Sequence, residues 1–387
     1  MSIRNQQFIL SAGINGFGYH PGAPVARAQR LIEVDHYRQL VRTAERGLLD
    51  FVLLHDERAL PADYAFGRLD ALTVLSRLAP ETSRIGLAVS KPTTYSEPFT
   101  VSREMATLDF VSSGRAAWNA TTTATAAEAR NYSRTEAPAA GQRRAIAEEF
   151  VTVSRKLWDS WEDDAVITDR VRGFYLDPTK LHHINHVGDH FQIRGPQITY
   201  RPPQGHVVVV QVDQVDDGAP LSAAVADVLV LHQPTLAAAQ HAYAHFQDQA
   251  ATAGRTVRIL QSILPILGET EQLARERAAQ LDTAAAARQN GQAVTPRAYP
   301  FVGTPQQLAD LMHQWFTARA ADGFHLLPAV LPDGLAELVY KLVPELQVRG
   351  RFREGYTGKT LRDHLELPRP ISQYATTDNR RQTTDNR

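Results

Sequence analysis

Short apolar segments alternate along the chain with longer segments in which apolar residues recur every three or four positions. Runs of four to eight apolar residues are typical of buried strands, and a period near 3.6 is typical of amphipathic helices. The predicted strands are Phe8–Ala12, Phe51–Leu54, Ile85–Val89, Ala116–Ala120, Val207–Gln211, Val228–Leu231, Val257–Leu267 and Gly323–Leu327.

Helical patterns fall between these strands. Tyr37, Leu40, Val41 and Ala44 lie at helical spacing before a glycine stop signal. The predicted helices are Asp35–Gly47, Asp70–Ala79, Pro98–Val111, Ala145–Asp159, Leu236–Ala253, Glu269–Ala287 and Gly334–Val343. Such alternation predicts a parallel sheet with right-handed crossovers.

Alternation alone does not separate a closed barrel from an open sheet, but length favours the barrel. A (β/α)₈ TIM barrel takes about 250 residues, and insertions extend it past 400. The chain has 387 residues. We therefore expect one TIM-barrel domain over 1–372, with an insertion around 161–206. Residues 373–387 are polar and contain TTDNR twice, so we expect a mobile tail.

The amino-acid composition excludes several kinds of partner and of active site. The formal net charge is −1, and there is no cysteine. No overall field draws nucleic acid or an anionic membrane to such a chain, and disulfides, zinc-thiolate sites and cysteine nucleophiles are excluded. The start MSIRNQQFIL does not resemble a signal peptide, and no run of about 18 apolar residues occurs. We expect a cytoplasmic protein without nucleic-acid or membrane partners.

Several segments in collinear order carry a family resemblance. They include INGFGYHPGA at Ile14–Ala23, TAERGLLDFVLLHDERAL at Thr43–Leu60, TTYSEPFTVSREMATLDFVSSGRAAWNATT at Thr93–Thr122, HHINHVGDHFQIRGP at His182–Pro196, PQGHVVVVQ at Pro203–Gln211 and FVGTPQQLADLM at Phe301–Met312. Together they resemble the nitrilotriacetate and dibenzothiophene-sulfone monooxygenase group of the bacterial luciferase-like superfamily.

The resemblance implies a specific activity. Members of the group are (β/α)₈ barrels that take reduced FMN from a separate NAD(P)H-dependent flavin reductase. They use it with O₂ to oxygenate a small organic substrate, and they are commonly homo-oligomers. The flavin carries the redox chemistry while the protein orients the reactants. The active site of a TIM barrel lies at the carboxyl ends of its strands.

Five residues match family positions that line the flavin pocket. They are Asp56, Thr93, Tyr95, Asn131 and Tyr132. Each also has an ordinary alternative: aspartate is common in turns and helix caps, and a loop tyrosine often finds a hydroxyl partner. The resemblance is what favours the cofactor role.

Three residues are candidates for the chemistry itself. Asn119 and Thr121 end the fourth predicted strand, where an amide or hydroxyl can meet the flavin edge. His20 follows the first strand and is a candidate substrate contact. Barrel packing and simple exposure are the alternatives for these three residues.

A cluster of four histidines suggests a metal site at first sight: His182, His183, His186 and His190. We expect these histidines to be structural or exposed, and we expect no metal.

The main departure from the family follows Gln211. The family has glycine-serine-serine there, which holds the FMN phosphate, whereas this chain has Asp213, Gln214 and Val215. One carboxylate at about 4 Å from a phosphate charge costs about 4 kcal/mol at an effective dielectric of 20. The alternative hypothesis is therefore a barrel that has lost FMN and acts as a flavin-independent enzyme or binding protein. The substrate and the type of oxygenation stay open.

Overall fold

Eight parallel strands form a closed ring. The computed structural model describes residues 7–24, 28–60, 67–122, 125–212, 223–288 and 298–375. The barrel strands are β1 (Ile9–Gly13), β2 (Phe51–Leu54), β3 (Gly86–Pro92), β4 (Ala116–Thr121), β5 (Val208–Val212), β6 (Val228–Leu231), β7 (Arg258–Leu267) and β8 (Gly323–Leu326). Each pairs with the next, and β8 pairs back onto β1 through Ser11 opposite His325. The predicted TIM barrel is confirmed.

Helices surround this ring. They are α1 (Val34–Arg46), α2 (Ala71–Leu78), α3 (Pro98–Val111), α4 (Ala126–Asn131), α5 (Ala140–Asp159), α6 (Leu236–Thr252), α7 (Glu271–Arg288), α8 (Pro305–Thr317), α9 (Asp333–Glu337), α10 (Val343–Val348) and α11 (Leu361–His364). Several begin with an oxygen-bearing cap; for example, the Asp70 carboxylate accepts from Thr73 N at 2.8 Å at the start of α2. Among the helices described, none combines the length and apolar character needed to cross a bilayer.

Two of the four apolar clusters in the described core lie on the two sides of the strand ring. The larger cluster packs helices against the outside of the ring, and Trp158 and Trp315 are buried in it. A smaller cluster fills the barrel interior and includes Phe51, Val210 and Leu260. Leu361 on α11 and Leu365 and Leu367 just after it belong to that cluster, so the chain after α10 plugs the amino-terminal end of the barrel.

Several elements differ from the sequence-based expectation, and helices α4, α8 and α11 are absent from the predicted set. Tyr299–Gly303 forms an additional parallel strand along the second half of β7, which the pattern did not predict. The insertion contains two small antiparallel hairpins, Val166–Asp169 with Phe174–Leu176 and His186–Val187 with Gln192–Ile193. The helix expected to start at Ala145 begins five residues earlier.

Candidate active site at the barrel mouth

The fold brings most of the predicted site residues to one rim. Asp56 follows β2, Thr93 follows β3, and Asn119 and Thr121 lie in the last half of β4. Parallel strands in a barrel end on the same face, so side chains distant in sequence meet there. The exceptions are Asn131 and Tyr132, which reach the rim from the end of α4.

Asn119 is fully buried and is held at both ends of its amide. Its Nδ2 donates to Ser90 Oγ at 2.8 Å, and its Oδ1 accepts from Val212 N at 3.2 Å. The Ser90 hydroxyl also lies 3.4 Å from His55 Nδ1. Asn119 therefore joins β3, β4 and β5 just before the chain leaves β5. One amide hydrogen and one lone pair stay available for a ligand.

Thr93 and Thr121 join two strand ends. Both the backbone N and the hydroxyl of Thr93 donate to the carbonyl of Thr121, at 3.0 and 3.2 Å. Both residues are buried. The Thr93 hydroxyl proton is thereby committed to the backbone, so any contribution of Thr93 to cofactor binding comes from its oxygen lone pairs.

Two tyrosines form a parallel stack at the rim. The rings of Tyr95 and Tyr132 have centroids 4.9 Å apart and an interplanar angle of 9°. The Tyr95 hydroxyl is buried and finds no hydrogen-bond partner among the described residues. Asn131 lies next to the stack, and its amide donates to Arg58 O at 2.7 Å. The predicted pocket residues on α4 are thus fixed against the loop after β2.

Asp56 has a buried carboxylate oxygen that is incompletely satisfied. Its Oδ2 lies 3.1 Å from Arg58 Nη2, but that approach lacks hydrogen-bond geometry. Burial raises the pKa of Asp56, against the lowering effect of the Arg58 guanidinium. A carboxyl group in this state accepts a ligand N–H or hydroxyl at little further desolvation cost.

His20 is held between two protein groups. Gly22 N donates to Nδ1 at 3.0 Å, so Nδ1 is unprotonated and the neutral ring carries its proton on Nε2. Nε2 lies 3.4 Å from Asp282 on α7. Burial lowers the pKa of His20, although Asp282 opposes this. This arrangement clamps the loop after β1 to α7, and the catalytic role of His20 stays a prediction.

The sequence reading missed several polar groups inside the barrel. Ser11 Oγ and His325 Nδ1 are 2.8 Å apart, and both residues are completely buried. Thr94 Oγ1, in the loop after β3, is a buried hydroxyl without a hydrogen-bond partner in the described part of the chain. A signal for Ser11 and His325 did exist: each is a polar residue at an interior-facing position of an apolar strand.

Other predicted features lie elsewhere or outside the described residues. Asp213, Gln214 and Val215 are outside them, so the altered phosphate loop stays an expectation. Within the insertion, His186 Nε2 lies 3.0 Å from Glu149, and His182 Nε2 lies 2.7 Å from Glu162. These two histidines bind different carboxylates on different segments.

The buried neutral His325 predicts a specific pH dependence of stability. Burial, with a contribution from His55, lowers the pKa of His325 to about 3. An unfolded histidine titrates near 6.5, so the unfolded state binds more protons and stability falls as pH drops below 6.5. Between pH 7.5 and 5, wild type should lose about 2 kcal/mol more unfolding free energy than His325→Gln. Urea unfolding at several pH values measures this, and parallel curves would contradict it.

Comparison with known proteins gives a consistent family. The model of the luciferase-like monooxygenase family matches residues 15–323. N-acetyl-S-(2-succino)cysteine monooxygenase of Bacillus subtilis (strain 168) is 34% identical over 97% of this chain and 100% of that protein. Nitrilotriacetate monooxygenase component A of Aminobacter aminovorans is 36% identical over 96% of this chain and 99% of its own length.

A solved structure agrees with the sequence relatives. EDTA monooxygenase from Chelativorans sp. BNC1 superimposes with a TM-score of 0.83 and 27% identity, covering 94% of this chain and 99% of that one. The predicted resemblance is therefore confirmed over nearly the whole chain. This chain belongs to the luciferase-like monooxygenase family, in the group that contains nitrilotriacetate monooxygenase.

Proposed function

We propose that this protein is the oxygenase component of a two-component system that uses reduced FMN. A separate NAD(P)H-dependent flavin reductase supplies the FMN, O₂ supplies the oxygen atom, and the acceptor is a small organic substrate. The relatives above act on the compounds that their names give. The observation that carries the proposal comes from the barrel mouth of this chain.

That observation is a concentration of unsatisfied buried polar atoms. Asp56 Oδ2, Thr94 Oγ1 and Tyr95 Oη are each buried without a hydrogen bond to any described residue, and Tyr19 Oη is buried with the Asn15 backbone N–H as its described contact. They follow β1, β2 and β3, so they belong to one rim. A buried polar atom without a partner costs about 1–3 kcal/mol. Several on one rim therefore favour a polar ligand that supplies the partners.

The available groups fit the ring end of a flavin. Asp56 offers an acceptor for a ring N–H, and the Thr94 and Tyr95 hydroxyls offer donors to ring oxygens. Asn119 has one amide hydrogen left, and the Tyr95–Tyr132 stack provides a flat aromatic wall. We propose that these residues hold the isoalloxazine ring, as the sequence predicted for all of them except Thr94.

The remaining roles follow from the geometry of the protein itself. Bound reduced FMN supplies the electrons for O₂ activation, which the side chains of this protein do not provide. Tyr19 lies over the first strand end, and His20 holds its loop to α7 through Asp282. We propose that this loop keeps water away from the reacting atoms, since a dry site strengthens its electrostatic interactions.

A flavin titration tests the proposal directly. Purified protein is titrated anaerobically with reduced FMN, and in air with oxidised FMN, with quenching of tryptophan fluorescence as the readout. We expect saturable binding of reduced FMN. With a flavin reductase, NADH and ¹⁸O₂, we expect ¹⁸O in the product of an accepted substrate, and nitrilotriacetate is the first candidate. Failure to bind reduced FMN rejects the proposal.

The flavin-free alternative makes the opposite prediction. If the barrel has lost FMN, the variant with Asp213→Gly, Gln214→Ser and Val215→Ser should bind FMN where the parent does not. If the parent already binds FMN tightly, that alternative fails. The same titration therefore separates the two hypotheses.

A further inference from the structure

A polar layer lies inside the barrel beneath its mouth. Pairing of β7, β8 and β1 places Ser262, His325 and Ser11 side by side. Ile9 and Leu260, two residues earlier on β1 and β7, belong to the interior apolar cluster. Residues two apart on a strand face the same side, so this trio faces the barrel interior, one layer above the apolar filling.

The hydrogen bonds of this layer assign the tautomer of His325. The hydroxyl of Ser11 has one partner among the described residues, His325 Nδ1 at 2.8 Å. If Nδ1–H donated to Ser11, both the serine proton and Nε2 would lack partners. If the serine donates to Nδ1, only Nε2–H lacks one. Each buried orphan costs free energy, so the second arrangement is favoured and His325 presents an N–H donor to the interior.

No described group satisfies that donor. Nε2 of His325 is buried without a partner, and the residue is completely inaccessible. Its neighbour Ser262 donates its own proton to Leu231 O at 3.3 Å. Among the interior polar residues nearby, Ser90 and Asn119 are bonded to each other, and Ser90 Oγ lies 3.4 Å from His55 Nδ1. His325 Nε2 is thus a buried donor in this layer that no described group uses.

The hydroxyl of Tyr19 lies nearer the barrel mouth than His325, on the same interior side of β1. A Cβ on Gly13 would overlap the Tyr19 hydroxyl, so that hydroxyl lies against the interior face of β1. Gly13 stands two residues above Ser11, which corresponds to about 7 Å along a strand. Tyr19 Oη is itself buried; the Asn15 backbone N–H faces its oxygen, and its proton has no acceptor among the described residues. Two neutral polar groups, Tyr19 Oη above and His325 Nε2–H below, therefore face the same part of the barrel interior.

We propose that His325 is a specificity-determining residue whose Nε2–H donates to an acceptor oxygen of the substrate, and that Ser11 positions it by fixing the tautomer. The inference rests on the proposed function for the presence of a substrate at this mouth. The shared chemistry is an acceptor oxygen, which a sulfone, an amide or a carboxylate provides. Substrates without one leave the donor unsatisfied and bind more weakly.

Matched pairs of probes test the selectivity. Dibenzothiophene sulfone and dibenzothiophene differ by the sulfone oxygens, and nitrilotriacetate and triethylamine differ by the carboxylates. Binding is measured calorimetrically, without flavin and with anaerobically reduced FMN. We expect the wild type to prefer the oxygen-bearing member of at least one pair about tenfold. Preference in the sulfone pair alone indicates an uncharged oxygen, and preference in the nitrilotriacetate pair alone indicates a carboxylate.

Variants assign the preference to His325. His325→Leu removes the donor at similar volume and should abolish the preference, whereas His325→Gln retains an N–H and should keep most of it. Ser262→Ala, in the same layer, is the control and should change nothing. Ser11→Ala should weaken the preference, and Ser11→Thr, which keeps a hydroxyl, should restore it. No preference in the wild type, or full preference in His325→Leu, overturns the proposal.

The tautomer has a readout that needs neither substrate nor flavin. Long-range ¹H–¹⁵N spectra of [¹⁵N]histidine-labelled protein distinguish the two neutral tautomers, and comparison with His325→Gln identifies the signals of His325. We expect Nε2–H in wild type and loss of that preference in Ser11→Ala. An Nδ1–H signal overturns the inference. Flavin binding is measured separately, so failure of the oxygenase proposal leaves a distinct result.

Discussion

Replacing Asp227 with alanine is expected to lower the free energy of unfolding by about 3–5 kcal/mol, because it leaves buried guanidinium groups without a counter-charge. Asp227 Oδ1 lies 2.6 Å from Arg255 Nη2, and Oδ2 lies 3.1 Å from Arg362 Nη2. Oδ2 also accepts from Val209 N at 2.9 Å. This one side chain thus connects β5, the segment before β7 and the carboxyl-terminal plug.

The charges around Asp227 explain the size of the effect. Burial alone would raise the pKa of Asp227, but Arg362, Arg155 and Arg255 outweigh it and hold the pKa at about 2. The carboxylate therefore stays ionised at every pH at which the protein is handled. Burial and the neighbouring arginines lower the pKa of Arg155 to about 10, which is still too high for it to lose its proton at neutral pH.

Urea unfolding, followed by tryptophan fluorescence, measures the loss. The matched control is Asp163→Ala, which removes a carboxylate that also contacts two arginines, Arg201 and Arg369, but is half exposed. Arg201 is buried but keeps a second carboxylate, Asp159, at 3.0 Å, and half-exposed pairs contribute about 0–1 kcal/mol, so the control should stay within about 1 kcal/mol of wild type. Equal losses in the two variants would show that burial of the arginine cluster does not determine the cost.

Asn119→Leu is expected to reduce reduced-flavin-dependent oxygenation by about 100-fold, which corresponds to about 2.7 kcal/mol of transition-state stabilisation. The substitution keeps the volume but removes the bonds to Ser90 Oγ and Val212 N. Val212 ends β5, so its orientation sets the direction in which the chain leaves the barrel. The remaining amide hydrogen, proposed to face the flavin, is lost as well.

Asn119→Asp separates the two contributions. The aspartate keeps an acceptor for Val212 N but loses the donor to Ser90, so its flavin affinity should fall between those of wild type and Asn119→Leu. Gln240→Ala, on α6 outside the barrel mouth, is the control. Its amide bonds to a backbone carbonyl, Ala318 O, at an exposed position, and we expect less than about threefold change. A wild-type rate in Asn119→Leu would remove Asn119 from the proposed site.

The positions of the strands were predictable from the sequence wherever both faces of a strand are buried. Phe51–Leu54 and Val228–Leu231 occur with the bounds that the pattern predicted, because continuous apolar runs indicate central parallel strands. The helix Pro98–Val111 also has its predicted bounds, because proline favours the first helical position. Tyr299–Gly303 was missed since its residues are only half-buried and Pro300 argues against a strand. The insertion hairpins were missed because their strands of two to four residues are partly exposed and carry little periodicity.

The positions of the site residues at the strand ends were predictable from the sequence, but their hydrogen-bond partners were not. Resemblance and position placed Asp56, Thr93 and Asn119 at the mouth, as the structure has them. Sequence did not show that Thr93 donates to a carbonyl, or that Asn119 is already shared between Ser90 and Val212. Such commitments decide which atoms are left for a ligand, and they depend on residues far away in the chain.

By itself, the sequence determined the alternation of strands and helices, the family and the rim on which the chemistry is expected. It did so because hydrophobic periodicity is local and because strand ends in a parallel barrel share one face. Only the tertiary structure decided that Ser11 and His325, 314 residues apart, form a buried pair with one unused donor. Ring closure brings β1 against β8, and no local pattern contains the register between the first strand and the last.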